Sequence, residues 1–274
     1  MPTNCLRWTL SLLLGVVLMM TGCNSDTTST AIAPSPEQSP PAQVTPDASP
    51  TAIANLDPQY ANLPRLEGKA VVEMVVKGTP ITMELDGTNA PITAGNFVDL
   101  VNRGLYNGLA FHRVVRQPQP FVVQGGDPQS KDPNFPASQL GTGGFIDPAL
   151  GTERYIPLEI KPNGASTPVY GQTFQEAGIT QPPVLRHHRG AVAMARSQLP
   201  NSASSQFYIT LADLSFLDGN YAVFGNVTSG MEAVDQIQQG DRIETARVVS
   251  GLENLRNGST TPANPAPPTP PGAG

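Results

Sequence analysis

The body of this chain contains no cysteine. Only two occur in 274 residues, Cys5 and Cys23, both within the first 23 positions. Disulfides, a thiolate nucleophile and cysteine-ligated metal are therefore excluded from anything that folds downstream. Charge is scarce as well: 14% of residues are charged, with a formal net charge of −6. No extended basic stretch occurs, so nucleic acid is not an expected partner. Histidine is limited to His112 and the adjacent pair in "RHHR" (Arg186–Arg189). A metal would need further ligands of suitable geometry, and none is expected. "GTGGF" (Gly141–Phe145) lacks the Lys-Ser/Thr of a phosphate-binding loop and reads as a turn. The longest apolar run, "TLSLLLGVVLMM" from Thr9 to Met20, has about 12 residues and is too short to read first as a spanning helix. What the chain has in plenty is proline (29) and glycine (26), so much of it is turn, loop or tail.

The N-terminus reads as a targeting segment. Arg7 supplies a positive region, Thr9–Met20 the apolar one, and "MTGC" ends at Cys23. This resembles a bacterial lipoprotein signal, which implies cleavage after residue 22 and lipidation of Cys23. Each buried lipid methylene is worth about 0.8 kcal/mol, so several acyl chains anchor a protein firmly to a membrane. An ordinary cleaved leader and an uncleaved signal anchor are the alternatives. All three place the remainder outside the cytoplasm, in a periplasm or lumen. Residues 23–64, rich in Ser, Thr, Pro and Ala, read as a disordered tether. Residues 252–274, ending "NPAPPTPPGAG", read as a disordered proline-rich tail. One folded domain is expected over 65–251, with no sign of oligomerisation, so a monomer is expected.

Within that domain "KAVVEMVVKG" and "PITMELD" read as a hairpin turning at Gly78-Thr79. Asn89 is placed to cap a helix with Pro91 in its first turn. Phe97, Leu100 and Val101 then form one buried stripe. Val114-Val115 and Phe121–Val123 are two strands around a polar break. Residues 127–189 read as loop, apart from a strand near Tyr155–Ile160. "AVAMA", "SQFYITL", "YAVFGNV" and "RIETARVVS" are further strands, and "MEAVDQIQQG" is a second helix ended by Gly240. About eight short strands with a helix near each end suggest an antiparallel barrel capped by helices. Gln206 and Tyr208 sit two apart on one strand and share a face, while Phe207 and Ile209 take the other.

Four linked motifs go further: "FHRVV" with "FVVQGGDPQ", "GAVAMAR", "SSQFYITL" and "FLDGNYAVFGNV". Their order and spacing, together with the helix in "APITAGNFVDLVNRGLYNGLAFHR", resemble the cyclophilin-type peptidyl-prolyl cis–trans isomerases. The resemblance implies a mainly β fold, a closed eight-stranded antiparallel barrel capped by two α-helices, with substrate in a groove on the outer wall. It implies that Arg113, Phe121 and Gln124 are catalytic. It assigns substrate binding to Val122, Ala195, Arg196, Gln206, Tyr208, Phe216, Leu217 and Tyr221. No cofactor is implied.

The chemistry suits these residue types. The peptide bond resists rotation by about 18–20 kcal/mol, and X-Pro bonds exchange in tens to hundreds of seconds. Twisting returns a lone pair to nitrogen, and a donor aimed there is stabilising only in the twisted state. Arginine is always charged and carries its donors in a planar fork. The expected partners are unfolded or extended proline-containing chains. The rival reading is a non-catalytic chaperone or assembly scaffold that binds such segments without turnover. Three departures from the family pattern stand out. "RQPQP" (Arg116–Pro120) replaces Pro-Gly and is about three residues longer. The 127–189 segment is also lengthened and could gate the groove or bind a partner. Phe216 stands where cyclosporin-sensitive members carry Trp. Phenylalanine has no indole N–H, so weak cyclosporin binding is expected.

Overall fold

The computed structural model describes residues 58–258. Cys23, the leader and most of the proposed tether and tail lie outside the described residues. No helix among the described residues is long and apolar enough to cross a membrane.

Eight strands make one antiparallel sheet: β1 (Lys69–Val76), β2 (Thr79–Asp86), β3 (Arg113–Val115), β4 (Val122–Gly125), β5 (Ala191–Met194), β6 (Phe207–Thr210), β7 (Val223–Ser229) and β8 (Ile243–Ser250). Their spatial order is β8-β1-β2-β7-β5-β6-β4-β3. Alternation along β1 places Ala70, Val72, Met74 and Val76 in the core. The β1–β2 turn falls at Lys77-Gly78, one residue earlier than the sequence suggested, and Val76 pairs with Thr79. Both turn residues have positive φ, 49° and 70°, as a two-residue hairpin turn matched to strand twist requires. Lys77 tolerates this position with its ammonium 2.6 Å from Asp241.

The sheet curls until its edges meet, but the seam is not a ladder. It is an isolated antiparallel bridge, Ala110 to Arg242, flanked by main-chain bonds from Gly108 N to Ile243 O (2.7 Å) and from Phe111 N to Asp241 O (2.8 Å). In place of the expected full closure, a bridge joins the segments leading into β3 and β8. Leu255–Arg256 pairs with Arg65–Leu66, so regular pairing continues past Gly251.

Helix α1 (Pro91–Asn102) and helix α2 (Met231–Gln236) accompany the sheet. The single apolar stripe expected on α1 understates its burial: every residue from Ile92 to Val101 is buried. Phe97 packs against Tyr106, Phe207 and Phe224, with ring centroids 4.9–5.2 Å apart. The polar side of α1 is covered by the 127–189 segment. Arg154, 7% exposed, donates to Asp99 and Asp147, both at 2.7 Å, with its guanidinium 4.7 Å from the Phe145 ring centre. Glu159, 1% exposed, accepts from the backbone N–H of Ile92 (3.1 Å) and Thr93 (2.7 Å) and from the Thr93 hydroxyl (2.7 Å). This distant carboxylate caps the helix. Asn89, expected to do so, donates instead to Asp86 at 2.8 Å, and Ala90 stands at the N-cap. The first-turn N–H groups have no partner within the helix, and a negative charge at that end is favoured by the helix dipole. Burial pushes the Glu159 carboxyl above the usual range, against the pull of those hydrogen bonds.

The 127–189 segment is therefore ordered cover rather than plain loop. It carries 3₁₀ turns at Pro128–Lys131 and Ala137–Gln139 and two short hairpins, Ile146–Asp147 with Thr152–Glu153 and Glu159–Ile160 with Val169–Tyr170. Helix α2 is shorter than expected: Ile237 already leaves the helix, although it stays buried.

Candidate active site

Strands β4, β5 and β6 read as nearly unbroken apolar runs because both of their faces are covered. Val123, Val192, Met194, Phe207 and Ile209 point into the main core. On the opposite face, Val122, Ala191, Ala193 and Tyr208 join Leu214 and Val223 in a second apolar cluster. Phe121, Ala195, Leu217 and Tyr221 pack against that cluster while remaining partly exposed. The two faces follow from the period-2 geometry of a strand.

Strand register builds a row across the outer face. Arg113 on β3 lies opposite Gln124 on β4, Gln124 opposite Tyr208 on β6, and Tyr208 opposite Ala193 on β5. Residues directly opposed in an antiparallel pair have Cβ atoms about 4.5–5.5 Å apart, so the row forms one surface. The lengthened "RQPQP" tip leaves this register intact. Phe121 N still bonds Val115 O (3.0 Å), and the Arg116 guanidinium is held by the carbonyls of Val234 (3.2 Å) and Asp235 (2.8 Å) at the end of α2.

Arg113 is exposed, with its guanidinium 5.5 Å from the centre of the Phe121 ring. Its Nη1 donates to Gln124 Oε1 at 3.3 Å. Gln124 Nε2 donates to Gln206 Oε1 at 3.1 Å, and Gln206 Nε2 to the Gly143 carbonyl at 2.8 Å. Each amide is thereby oriented, and the arginine stands at the end of the chain. The Phe121 and Phe216 rings lie nearly parallel, 10° between planes and 6.1 Å between centroids. Phe216 is 67% exposed, large for an aromatic side chain.

Beyond the two glutamines opens a cleft of about 240 Å³, lined among others by Gln124, Gly143, Glu153, Ala195, Arg196 and Gln206. Arg196 donates to the Asn220 carbonyl through Nε (3.1 Å) and Nη2 (2.8 Å), and its guanidinium lies 4.7 Å from the Tyr221 ring centre. All eleven residues singled out in the domain thus fall on two adjoining features. Arg113, Phe121, Val122, Tyr208, Phe216, Leu217 and Tyr221 border the apolar patch. Ala195, Arg196 and Gln206 border the cleft, and Gln124 links the two.

The family model described as cyclophilin-type peptidyl-prolyl cis-trans isomerase/CLD matches residues 71–255. The chain belongs to the cyclophilin-type family. A Synechocystis sp. protein named as a thylakoid lumen peptidyl-prolyl cis-trans isomerase, sll0408, is 42% identical over 212 residues, covering 74% of this chain and 52% of that protein. Peptidyl-prolyl cis-trans isomerase CYP38, chloroplastic, of Arabidopsis thaliana is 42% identical over 219 residues, covering 73% and 47%. The chain thus spans about half the length of these two relatives. A crystal structure of a cyclophilin-type isomerase from Cryptosporidium parvum superposes with a TM-score of 0.49 at 24% identity, over 66% of this chain and 98% of that one.

Two features of this cyclophilin-type domain escaped the sequence. Glu153 and Tyr155 reach the cleft from the 127–189 segment, their side chains joined at 2.9 Å. His187, noted only as half of a histidine pair, is buried behind Tyr208, while His188 is exposed. The signal for the first was the length of the segment; the second had no local signal, because His187 stands in the polar stretch "RHHR". Among the described residues, no group of three or more His, Cys, Asp and Glu side chains is arranged to hold a metal.

Proposed function

We propose that this domain is an exported peptidyl-prolyl cis–trans isomerase acting on X-Pro bonds of unfolded or extended chains. The observation that carries the reading is the exposed Arg113 guanidinium, fixed by Gln124 and beside the Phe121 ring, at the edge of an apolar patch. A proline ring is apolar and would lie against Phe121, Val122, Tyr208 and Leu217. Arg113 then donates to the imide nitrogen as it becomes pyramidal, an interaction absent from either planar isomer. A bound chain that covers the exposed Arg113 would lower the local dielectric and strengthen that contact. Gln206, Ala195 and the cleft beyond them would hold the peptide backbone, with Arg196 and Tyr221 as its wall.

Relatives named for a thylakoid lumen and a chloroplast support an exported location. Lipidation at Cys23 would tether the domain to the membrane. Phe216 in place of an indole makes cyclosporin binding weak, and the domain acts as a monomer.

The test is a protease-coupled prolyl-peptide assay comparing the wild type with Arg113→Ala. Each factor of ten in rate corresponds to about 1.4 kcal/mol of barrier. A loss of roughly a hundredfold in kcat/KM is expected, consistent with an interaction worth about 2.7 kcal/mol in the transition state. A wild type that binds prolyl peptides but leaves the exchange rate at its uncatalysed value would establish the scaffold reading instead.

A further inference from the structure

Among the described residues, His187 is a buried titratable group beside the patch that the isomerisation chemistry leaves unused. It is 2% exposed. Its Nδ1 lies 2.8 Å from Asp218 Oδ1, and its backbone N–H donates to the same oxygen at 2.9 Å. Its Nε2 lies 3.0 Å from the Tyr208 hydroxyl. The imidazole and phenol rings are nearly parallel, 15° between planes with centroids 6.1 Å apart. The His187 carbonyl accepts from Leu214 N at 2.7 Å.

These contacts join two parts of the patch that the sheet itself does not join. Tyr208 is on β6 and forms the floor. Asp218 immediately follows the Ser215–Leu217 turn, which carries Phe216 and Leu217 on the far side. The imidazole spans the gap between them. The direction of the hydrogen bonds follows from counting protons. Asp218 accepts, so Nδ1 carries the hydrogen, and the remaining nitrogen of a neutral imidazole can only accept. Burial pushes the His187 ring below its usual pKa and so favours the neutral form, outweighing Asp218, which pulls the other way. Tyr208 therefore donates its proton inward. Its ring lies in the apolar patch, with no O–H left to donate to a ligand.

We propose that His187, held by Asp218, is a positioning residue that fixes Tyr208 and the 215–218 wall at the separation a prolyl ring requires. It acts on substrate affinity rather than on the rotation step. This rests on the reading that the patch receives proline. A contact equally present in ground and transition states changes KM and leaves kcat unchanged.

The test measures prolyl-peptide Kd and steady-state kcat and KM for the wild type, His187→Ala, Tyr208→Phe and the double variant. His187→Ala is expected to raise Kd and KM about tenfold, with kcat changed less than twofold. In the Tyr208→Phe background the same change should raise Kd less than threefold, because the hydroxyl that relays the effect is gone. An unchanged Kd in His187→Ala, or an equal effect in both backgrounds, overturns the proposal. Should His187→Ala fail to fold, long-range ¹H–¹⁵N spectra of the wild type decide. A neutral Nδ1–H tautomer whose signals shift on adding prolyl peptide supports the proposal; a protonated or unresponsive ring overturns it. A wild type that binds peptide without turnover overturns the isomerase reading alone, and Kd still tests His187. A wild type that binds no prolyl peptide overturns both.

Discussion

At the scale of single residues, the site is a row of side chains whose order is set by strand register. Arg113 is useful because it is held, and the hold is a pair of amides. Gln124 links Arg113 to Gln206, and Gln206 ends on the Gly143 carbonyl. Truncating Gln124 should release the guanidinium without unfolding the domain, since the amide lies on the outer face. Gln124→Ala is expected to lower kcat/KM about tenfold, or about 1.4 kcal/mol of transition-state stabilisation. Its thermal midpoint should stay within about 3 °C of the wild type, the shift a sub-kilocalorie change produces in a domain of this size. An assay paired with a melt separates the two effects. Of this row, alternation along "SQFYITL" gave the shared face of Gln206 and Tyr208, and the family resemblance gave Arg113 and Gln124; the cross-strand register came from the fold. The role of His187 was not legible. Its partner Asp218 stands 31 positions away and Tyr208 stands 21 away.

At the scale of elements, the 127–189 segment is pinned by two buried polar side chains, the ion-paired Arg154 and the hydrogen-bonded Glu159, each meeting helix α1. A buried charge is retained when it is paired and hydrogen-bonded, and breaking such a pair is strongly destabilising. Glu159→Ala would leave the Ile92 and Thr93 N–H groups unpaired in the interior. The combined loss of a helix cap and buried acceptors should cost about 2–4 kcal/mol, measured by urea unfolding. Asp147 gives a pH signature. Burial alone would raise its pKa, but hydrogen bonds from Arg154 and Ala149 N outweigh burial and hold it below the usual value. A depressed carboxylate contributes stability above its unfolded pKa and loses it as pH falls. The stability gap between wild type and Asp147→Asn should therefore be present at neutral pH and close progressively below about pH 4. A gap that persists at pH 2 would show that the ionised carboxylate is not its source. The sequence marked this region as loop apart from a strand near Tyr155–Ile160, where Glu159–Ile160 is found; the other strands of two residues have no period to read. The distant cap was invisible for a related reason: nothing local tells a helix that its N-terminus will meet a glutamate 66 residues further on.

At the scale of the whole molecule, the barrel and its outer site occupy one domain, while the proposed lipid anchor lies far from it in sequence. If Cys23 carries the anchor, Cys23→Ser should move the protein from the membrane fraction to the soluble fraction while isomerase activity per molecule stays unchanged. Fractionation followed by the peptide assay checks both halves of that statement. Continued membrane retention would assign the attachment to another segment. The antiparallel sheet was foreseen in its strand number and curvature, but not in the manner of its closure. Closure rests on the bridge of Ala110 to Arg242 and the main-chain bonds beside it, and the Gly108–Phe111 side of that seam carries no strand pattern of its own.

What the amino-acid order determined alone was what near neighbours govern: which residues alternate between two strand faces and where glycine permits a turn. Backbone geometry makes these properties local, so they survive without knowledge of the chain's path. That Arg113, Gln124 and Tyr208 share a wall was implied only by the resemblance of the linked motifs to a family. Tertiary structure decided the rest: the meeting of His187 with Tyr208 and Asp218, the capping of α1 by Glu159, and the seam at Ala110. Each joins residues well separated along the chain. Such contacts carry a loop-closure cost that only the assembled core offsets.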